Sequence, residues 1–372
     1  SKKDRLISGN QNVLKARFTD AQFFLDEDKK ISFKDRYPKL STIIFYDNLG
    51  TLYERSLRIS EFCEILAKSM HYDIKGFKEK LIFSNIDLTT EIVKEFPSLQ
   101  GKIGGYYAKD EGFKIELCNA FSSQYQNSII NPKSDLSIVL SLAQKIDSIF
   151  GFFSAKKKVS GSGDPFGVRR IVLSIMKILI ENKINLDLNI LLEKCKSIYK
   201  KQNIESNAEL KNIYDFFNKR IEVYFKEQGF RHSIIRANLK EKVINPYATF
   251  IKIKRLKVFL DSSKGKFFMS AFKRLNSIVE SSGEFNSIKE SMFKEKEENA
   301  LYEKIKSFKA KVGKSQDNHN FDFYSEITKP INDFLDNVIV NVSDEKIKKN
   351  RKNLLLECKN SLNYDFNFSI LD

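Results

Sequence analysis

An all-α fold is what this sequence predicts, and three observations carry it. Apolar residues recur at three- and four-residue spacing through most of the chain. Only six prolines and fifteen glycines punctuate 372 residues, which favours long helices over short strands joined by tight turns. The strand–helix alternation of a doubly wound sheet does not occur, and neither do internal repeats. The composition, 41% hydrophobic and 30% charged, is that of a chain able to bury substantial cores. Its length suggests two or three domains. Thirty-two phenylalanines and no tryptophan imply cores built on Phe.

In chain order, Val13 to Leu25 shows helical spacing through Val13, Leu14, Phe18, Ala21 and Leu25. Leu40 to Asn48 reads as extended or helical. Tyr53 to Lys68 is an amphipathic helix, with Ile59, Phe62, Cys63, Leu66 and Ala67 on one face. Phe77 to Phe96 reads as another, and Pro97 either stops it or starts the next helix. Phe113 to Tyr125 and Leu136 to Phe153 follow, the second capped by Ser134 or Asp135. Lys156 to Gly163 is a basic Gly/Ser loop. Asp164-Pro165 then predicts a helix start running to about Glu181. Leu188 to Lys200 and Ala208 to Gln228 come next, with Gly229 placed to end the latter. Beyond it, His232 to Val243, Tyr247 to Leu260, Lys266 to Glu280, Glu297 to Lys311, Phe321 to Val340 and Asp344 to Asn360 are helical. Glu280 to Lys289 and Gly313 to Asn320 are loops.

Most catalytic chemistry finds no support in the residues. A phosphate-binding loop needs G-x-x-x-x-G-K-[ST], which is absent. At Gly161-Ser162-Gly163-Asp164 an aspartate fills the position an anion would take. The three histidines, His71, His232 and His319, include no His-Asp dyad. His71 with Asp73 is one pair, which does not make a metal site. No G-x-S-x-G nucleophile turn occurs. The four cysteines, Cys63, Cys118, Cys195 and Cys358, are far apart and read as buried thiols of a cytoplasmic protein. No apolar run approaches the roughly 18 residues that span a bilayer. The opening residues do not read as a signal peptide. They look like the middle of a longer protein.

The formal charge of +16 and isoelectric point near 9.4 point to a polyanion partner through counterion release. Lysines outnumber arginines, and Arg is the better bidentate reader of phosphates and bases. Candidate RNA-binding residues fall in four groups: Lys156, Lys157, Lys158, Arg169 and Arg170 around the Gly/Ser loop; Arg231, Arg236 and Lys240; Lys252, Lys254, Arg255 and Lys257; and Lys349, Arg351 and Lys352. Phe230 and Tyr247 lie near these groups, where rings can stack on unpaired bases. The competing reading leaves the lysines solvated and the rings in the core.

Two stretches carry order that periodicity does not require: EFPSLQGKIGGYYAKDEG (residues 95–112) and DSIFGFFSAKKKVSGSGDPFGVRR (residues 147–170). With GNQNVLKARFTDAQFF (9–24), LGTLYER (49–55), PINDFLD (330–336) and NRKNLL (350–355), they resemble the β subunit of bacterial-type glycyl-tRNA synthetase, in its C-terminal half. The resemblance runs across nearly the whole chain. It implies a helical, non-hydrolytic HD-like domain over residues 1–155, a helical connecting region over 156–225 and an anticodon-binding helical bundle over 226–372. Residues 248–260 take the place of the anticodon domain's signature segment, without its literal Asp-Ala-Leu-Arg string. The resemblance further implies an assembly of two α and two β chains. The α chain would activate glycine with ATP and Mg. This chain would hold tRNA-Gly, with no catalytic residue, metal or cofactor of its own and no membrane partner. Two other readings stand beside this one: an HD-type metal-dependent nucleotide phosphohydrolase, and a helical scaffold for synthetase assembly.

Overall fold

The computed structural model describes residues 2–371 except 47, 131, 133, 156–166, 205, 207, 240–243, 280–286 and 313–320. The all-α expectation holds. Among the described residues the regular elements are helices, and the one β pairing is an isolated bridge between Ile44 and Thr51. The chain forms two compact units. Unit 1 is Ser1–Ile221 with Glu241–Tyr247; unit 2 is Glu222–Lys240 with Ala248–Asp372.

Unit 1 contains α1 (Lys2–Lys29), α2 (Phe33–Arg36), α3 (Leu52–Ser69), α4 (Lys78–Leu81), α5 (Glu91–Glu95), α6 (Lys102–Asp110), α7 (Ile115–Ser123), α8 (Asp135–Ser154), α9 (Val168–Glu181), α10 (Asn189–Lys201) and most of α11 (Leu210–Glu227). Its centre is α8, against which α3, α7, α9 and α10 pack. By length and composition α8 is apolar enough to cross a membrane, yet it is 89% buried inside the protein over that window. A helix apolar on all sides is a core helix when its neighbours cover it. Counting uninterrupted apolar residues misses it because Ser141, Gln144, Lys145 and Asp147 interrupt the run.

The quoted stretches turn out to build this core. Thr51 and Glu54 close a capping box at the start of α3. Gly50 has φ +80°, and a Cβ there would meet the Glu54 carboxylate. Asp147 is fully buried. It accepts hydrogen bonds from Arg58 Nε at 2.8 Å, Arg55 Nε at 3.1 Å and Tyr199 Oη at 2.9 Å. One turn on, Gly151 leaves room for Leu49 and Tyr199, whose atoms would lie 2.9 and 3.1 Å from an added Cβ.

Two parts of unit 1 differ from the expected helices. Phe77 to Phe96 is not one helix but α4, a 3-10 segment Ile82–Thr89 and α5. The chain breaks because its polar side chains have other partners. Thr90 caps α5, and the buried Asp28 carboxylate accepts the Glu91 and Ile92 N–H groups, both at 3.0 Å. Arg36 pairs with the same carboxylate at 2.8 Å. The second difference is α6, a helix in a stretch to which periodicity assigns no element. Gly101 begins it at φ +80°, donating its N–H to the buried Asp87 carboxylate. Gly105 lets α6 press against α7: a Cβ there would stand 2.4 Å from the Cys118 carbonyl oxygen.

Unit 2 contains the end of α11, α12 (His232–Asn238), α13 (Pro246–Asp261, from Ala248), α14 (Ser263–Val279), α15 (Lys296–Val312), α16 (Asp322–Asn337) and α17 (Glu345–Leu362). Helices α14 to α17 pack as a bundle. Its core is phenylalanine-rich, as composition implies: Phe268, Phe272, Phe334, Phe366 and Phe368 are buried, and Tyr324 touches the rings of Phe268, Phe308 and Phe368. Helix α12 stops at Asn238, short of the expected Val243; Leu239 is extended, and 240–243 lie outside the described residues. The Asp164-Pro165 start also lies outside them, and α9 is described from Val168, after Gly167 at φ +64°.

Candidate nucleic-acid interface

The cationic residues singled out in the sequence meet different fates. Lys156, Lys157, Lys158 and Lys240 lie outside the described residues. In unit 1, Arg169 is half-buried and Arg170 exposed in the first turn of α9. In unit 2, Arg231 precedes α12 and Arg236 lies in its last turn, both exposed. On α13, Lys254, Arg255 and Lys257 are exposed, opposite the buried Ile253, Leu256 and Leu260, while Lys252 is half-buried. On α17, Lys349 is exposed and Lys352 half-buried.

Arg351 is different in kind. It is buried, with Nε 3.0 Å and Nη2 3.2 Å from the Glu298 carboxylate and Nη1 2.7 Å from the Ile339 carbonyl oxygen. Glu298 also caps α15 through the Lys294 and Glu295 N–H groups. Burial pushes the Glu298 carboxyl up, but these hydrogen bonds outweigh it and hold the group below its ordinary value. The Arg351 guanidinium therefore ties α17 to α15 inside the bundle, and is not one of the unit's surface cations.

Three of the exposed cations converge where α13 turns into α14. Ser262 makes the corner: its hydroxyl donates to Phe259 O at 2.6 Å and accepts the Gly265 N–H at 3.0 Å. Gly265 allows the tight turn, since a Cβ there would stand 1.9 Å from Phe259 O. At this corner the Asp261 carboxyl is held below its ordinary value. The hydrogen bond from Lys257, at 2.9 Å, is the largest cause; the charges of Lys257, Arg231 and Lys266 add to it. One carboxylate thus sits in the field of cations from before α12, from α13 and from α14. Lys254, three residues before Lys257, extends the same basic surface along α13.

Two members of this surface were not singled out from the sequence: Lys266, and Phe267, which is 58% exposed. Their signal was the run Lys264-Gly265-Lys266-Phe267-Phe268. The second phenylalanine goes into the core and leaves the first outside, beside a lysine. An exposed ring among cations is the combination that binds unpaired bases, by stacking, and phosphates, by charge. The two rings singled out for stacking, Phe230 and Tyr247, are both half-buried. Phe230 packs edge-on against Phe225 and Phe250, with centroids at 6.1 and 6.4 Å. Among the described residues no group of three or more His, Cys, Asp or Glu side chains is placed to hold a metal ion.

Comparison with known proteins bears on what this surface is for. Residues 1–240 match the family model for the glycyl-tRNA synthetase beta subunit, and residues 268–367 match that of the DALR anticodon-binding domain. The second match covers most of α14 and all of α15 to α17. It begins after residues 248–260, so α13 and the Ser262 corner precede the matched segment. Glycine--tRNA ligase beta subunits of Rickettsia typhi and Rickettsia prowazekii are 33% and 34% identical over 356 residues, 94% of this chain and 52% of theirs. That of Buchnera aphidicola is 31% identical over 373 residues, 96% of this chain and 53% of its own. The chain spans about half the length of these curated relatives. With a family model matched over more than half of its residues, the chain belongs to the glycyl-tRNA synthetase β subunit family.

Proposed function

We propose that this chain is the tRNA-binding, non-catalytic part of a glycyl-tRNA synthetase β subunit. It presents tRNA-Gly to an α subunit that performs ATP- and Mg-dependent glycylation in the cytoplasm, within an assembly of two α and two β chains. The observation that carries the reading is the cationic corner of Arg231, Lys257 and Lys266, with exposed Phe267, at the edge of a bundle that matches an anticodon-binding domain. Lysine and arginine contacts to phosphates supply affinity in this reading. Unpaired anticodon bases, able to stack and to hydrogen-bond, supply discrimination. The reading asks nothing of this chain in the way of bond making.

Filter binding of the chain to tRNA-Gly and to a second tRNA, across a series of salt concentrations, tests it. Tighter binding to tRNA-Gly at every salt concentration is expected. Equal and weak binding to both removes the tRNA-specific role and favours the assembly-scaffold reading.

A further inference from the structure

The bundle of unit 2 holds a second feature at the end that carries the cationic corner. Helices α14 and α16 begin at this end, and α15 and α17 finish there. Lys264 of α14 pairs with Asp322 of α16 at 3.5 Å. Phe259, just before the corner, stacks on Phe321 with centroids 4.6 Å apart, and Phe321 stacks in turn on Phe366, beyond α17, at 5.4 Å. Between the last turns of α15 and α17, among the described residues, lies a cavity of about 450 Å³. That size is within the usual range for small-ligand pockets. Phe308 lines it from α15. The Phe308 ring is buried and packs edge-on against Tyr324 at 5.1 Å, and Tyr324 touches Phe259 at 6.2 Å. Two ring contacts thus separate the cavity from the corner.

The polar lining is a donor–acceptor pair beside an exposed ring. Lys309 of α15 donates to Oε1 of Glu357 on α17. A carboxylate accepts from several donors at once, so Glu357 can take a further N–H. Asn360 adds an exposed amide, and Tyr364, just past the end of α17, is 66% exposed. All four line the cavity. Charge narrows the occupant. With Lys309 already on Glu357, the lining offers a phosphate no net positive charge. A ring, an acceptor and donors side by side suit an unpaired base, held by stacking and by its Watson–Crick edge. Cytosine presents its N4 amine to a carboxylate, and N3 and O2 to donors. Glycine codons begin with two guanines, so the anticodon of tRNA-Gly carries two cytosines. Uracil in the same pose would turn O4 toward the Glu357 carboxylate.

We propose that the cavity between α15 and α17 seats one anticodon cytosine of tRNA-Gly, its ring against Tyr364 and its N4 amine on Glu357. The proposal rests on the tRNA-binding reading and adds to it the residues that discriminate. Filter binding tests it, with four RNAs: tRNA-Gly, two transcripts in which one or the other anticodon cytosine is uracil, and an unrelated tRNA. One of the two uracil changes should weaken binding about tenfold, within the worth of a well-placed side chain–base pair. Glu357→Gln, whose amide either accepts or donates, should reduce that difference to about twofold or less while tRNA-Gly still binds. Tyr364→Ala should weaken tRNA-Gly binding about tenfold, the worth of one stacked base, and Tyr364→Phe should not. Because Tyr364 is mostly exposed, neither change threatens the fold. If the unaltered chain binds tRNA-Gly tightly and both uracil transcripts equally well, the proposal is overturned and the tRNA reading stands. A loss in Glu357→Gln that is the same for every RNA also overturns it, since Glu357 then only ties α17 to α15 through Lys309. Unchanged binding by Tyr364→Ala does so too. Equal, weak binding of tRNA-Gly and the unrelated tRNA by the unaltered chain overturns both.

Discussion

Replacing Asp147 with Asn should cost unit 1 roughly 3–5 kcal/mol, the range for breaking a buried ion pair from one side. The carboxylate is fully buried and is shared by Arg58, itself fully buried, and by Arg55. Asparagine keeps the volume but turns an amide N–H toward guanidiniums that need an acceptor. Arg58 keeps the Leu49 carbonyl and Gln202 as partners, which spares those hydrogen bonds but does not offset the charge. For a unit of this size, 1 kcal/mol moves the midpoint by about 2–4 °C, so a fall of roughly 6–20 °C is expected. Two units can melt separately, which would blur a single spectroscopic transition. Hydrogen exchange of peptides from α3 and α8, followed through a urea series, reports unit 1 alone. The double change Asp147→Asn with Arg58→Met removes the stranded charge. It should recover on the order of 1–3 kcal/mol as coupling energy. If Asp147→Asn costs no more than the under 1 kcal/mol typical of an exposed pair such as Lys94–Glu91, the ion-pair account of α3–α8 packing is wrong.

Gly105→Ala should destabilise unit 1 by about 1–3 kcal/mol, because the added methyl meets the Cys118 carbonyl and α7 must move away. Adding Ser122→Ala should not rescue it, since the backbone clash stays; thermal melts of both variants decide. Burial pushes the Asp87 carboxyl up to about 6 from 3.8, against the Gly101 N–H that favours its charged form. The folded state therefore binds the proton more tightly than the unfolded one. This contribution is fully present below about pH 3.8 and is lost as pH rises through about 6. It amounts to about 3 kcal/mol. Asp87→Asn should flatten the stability–pH curve between pH 4 and 6, which urea titrations at each pH will read. In unit 2, Arg351→Met should cost about 3–5 kcal/mol by stranding the buried Glu298. Lys349→Ala, one helix position class away on the exposed face, should cost less than about 0.5 kcal/mol.

Long amphipathic segments were legible in the sequence because each buries one face against a neighbour: α3, α8, α10, α11 and α14 to α17 fall where periodicity puts them. Phe77 to Phe96 was not legible. Its apolar spacing is helical, but Asp28, far away in sequence, captures the N–H groups of Glu91 and Ile92 and fixes a new start there. Helix α6 was hidden because its two glycines break the apolar periodicity; Gly104 instead lies against Asp87, and Gly105 makes the close contact with α7. The basic character of the chain was plain, yet counting charges cannot separate a surface cation from a buried one. Arg351 and Lys349 look alike in sequence, and only the facing Glu298 distinguishes them. The corner at Ser262 escaped for a related reason: it joins Arg231, Lys257 and Lys266 across a turn whose tightness depends on one glycine.

The claim that this corner holds RNA predicts a definite salt dependence. The affinity of the chain for tRNA-Gly, measured from about 50 to 200 mM salt, should follow a straight line in logarithmic form, with a slope that falls as cations are removed. Replacing Arg231, Lys257 and Lys266 together with Ala should lower the slope by about 2, at roughly 0.7 per contact with single-stranded RNA, and weaken binding throughout the series. An unchanged slope and affinity in that triple variant, with the bundle still folded, would contradict the account.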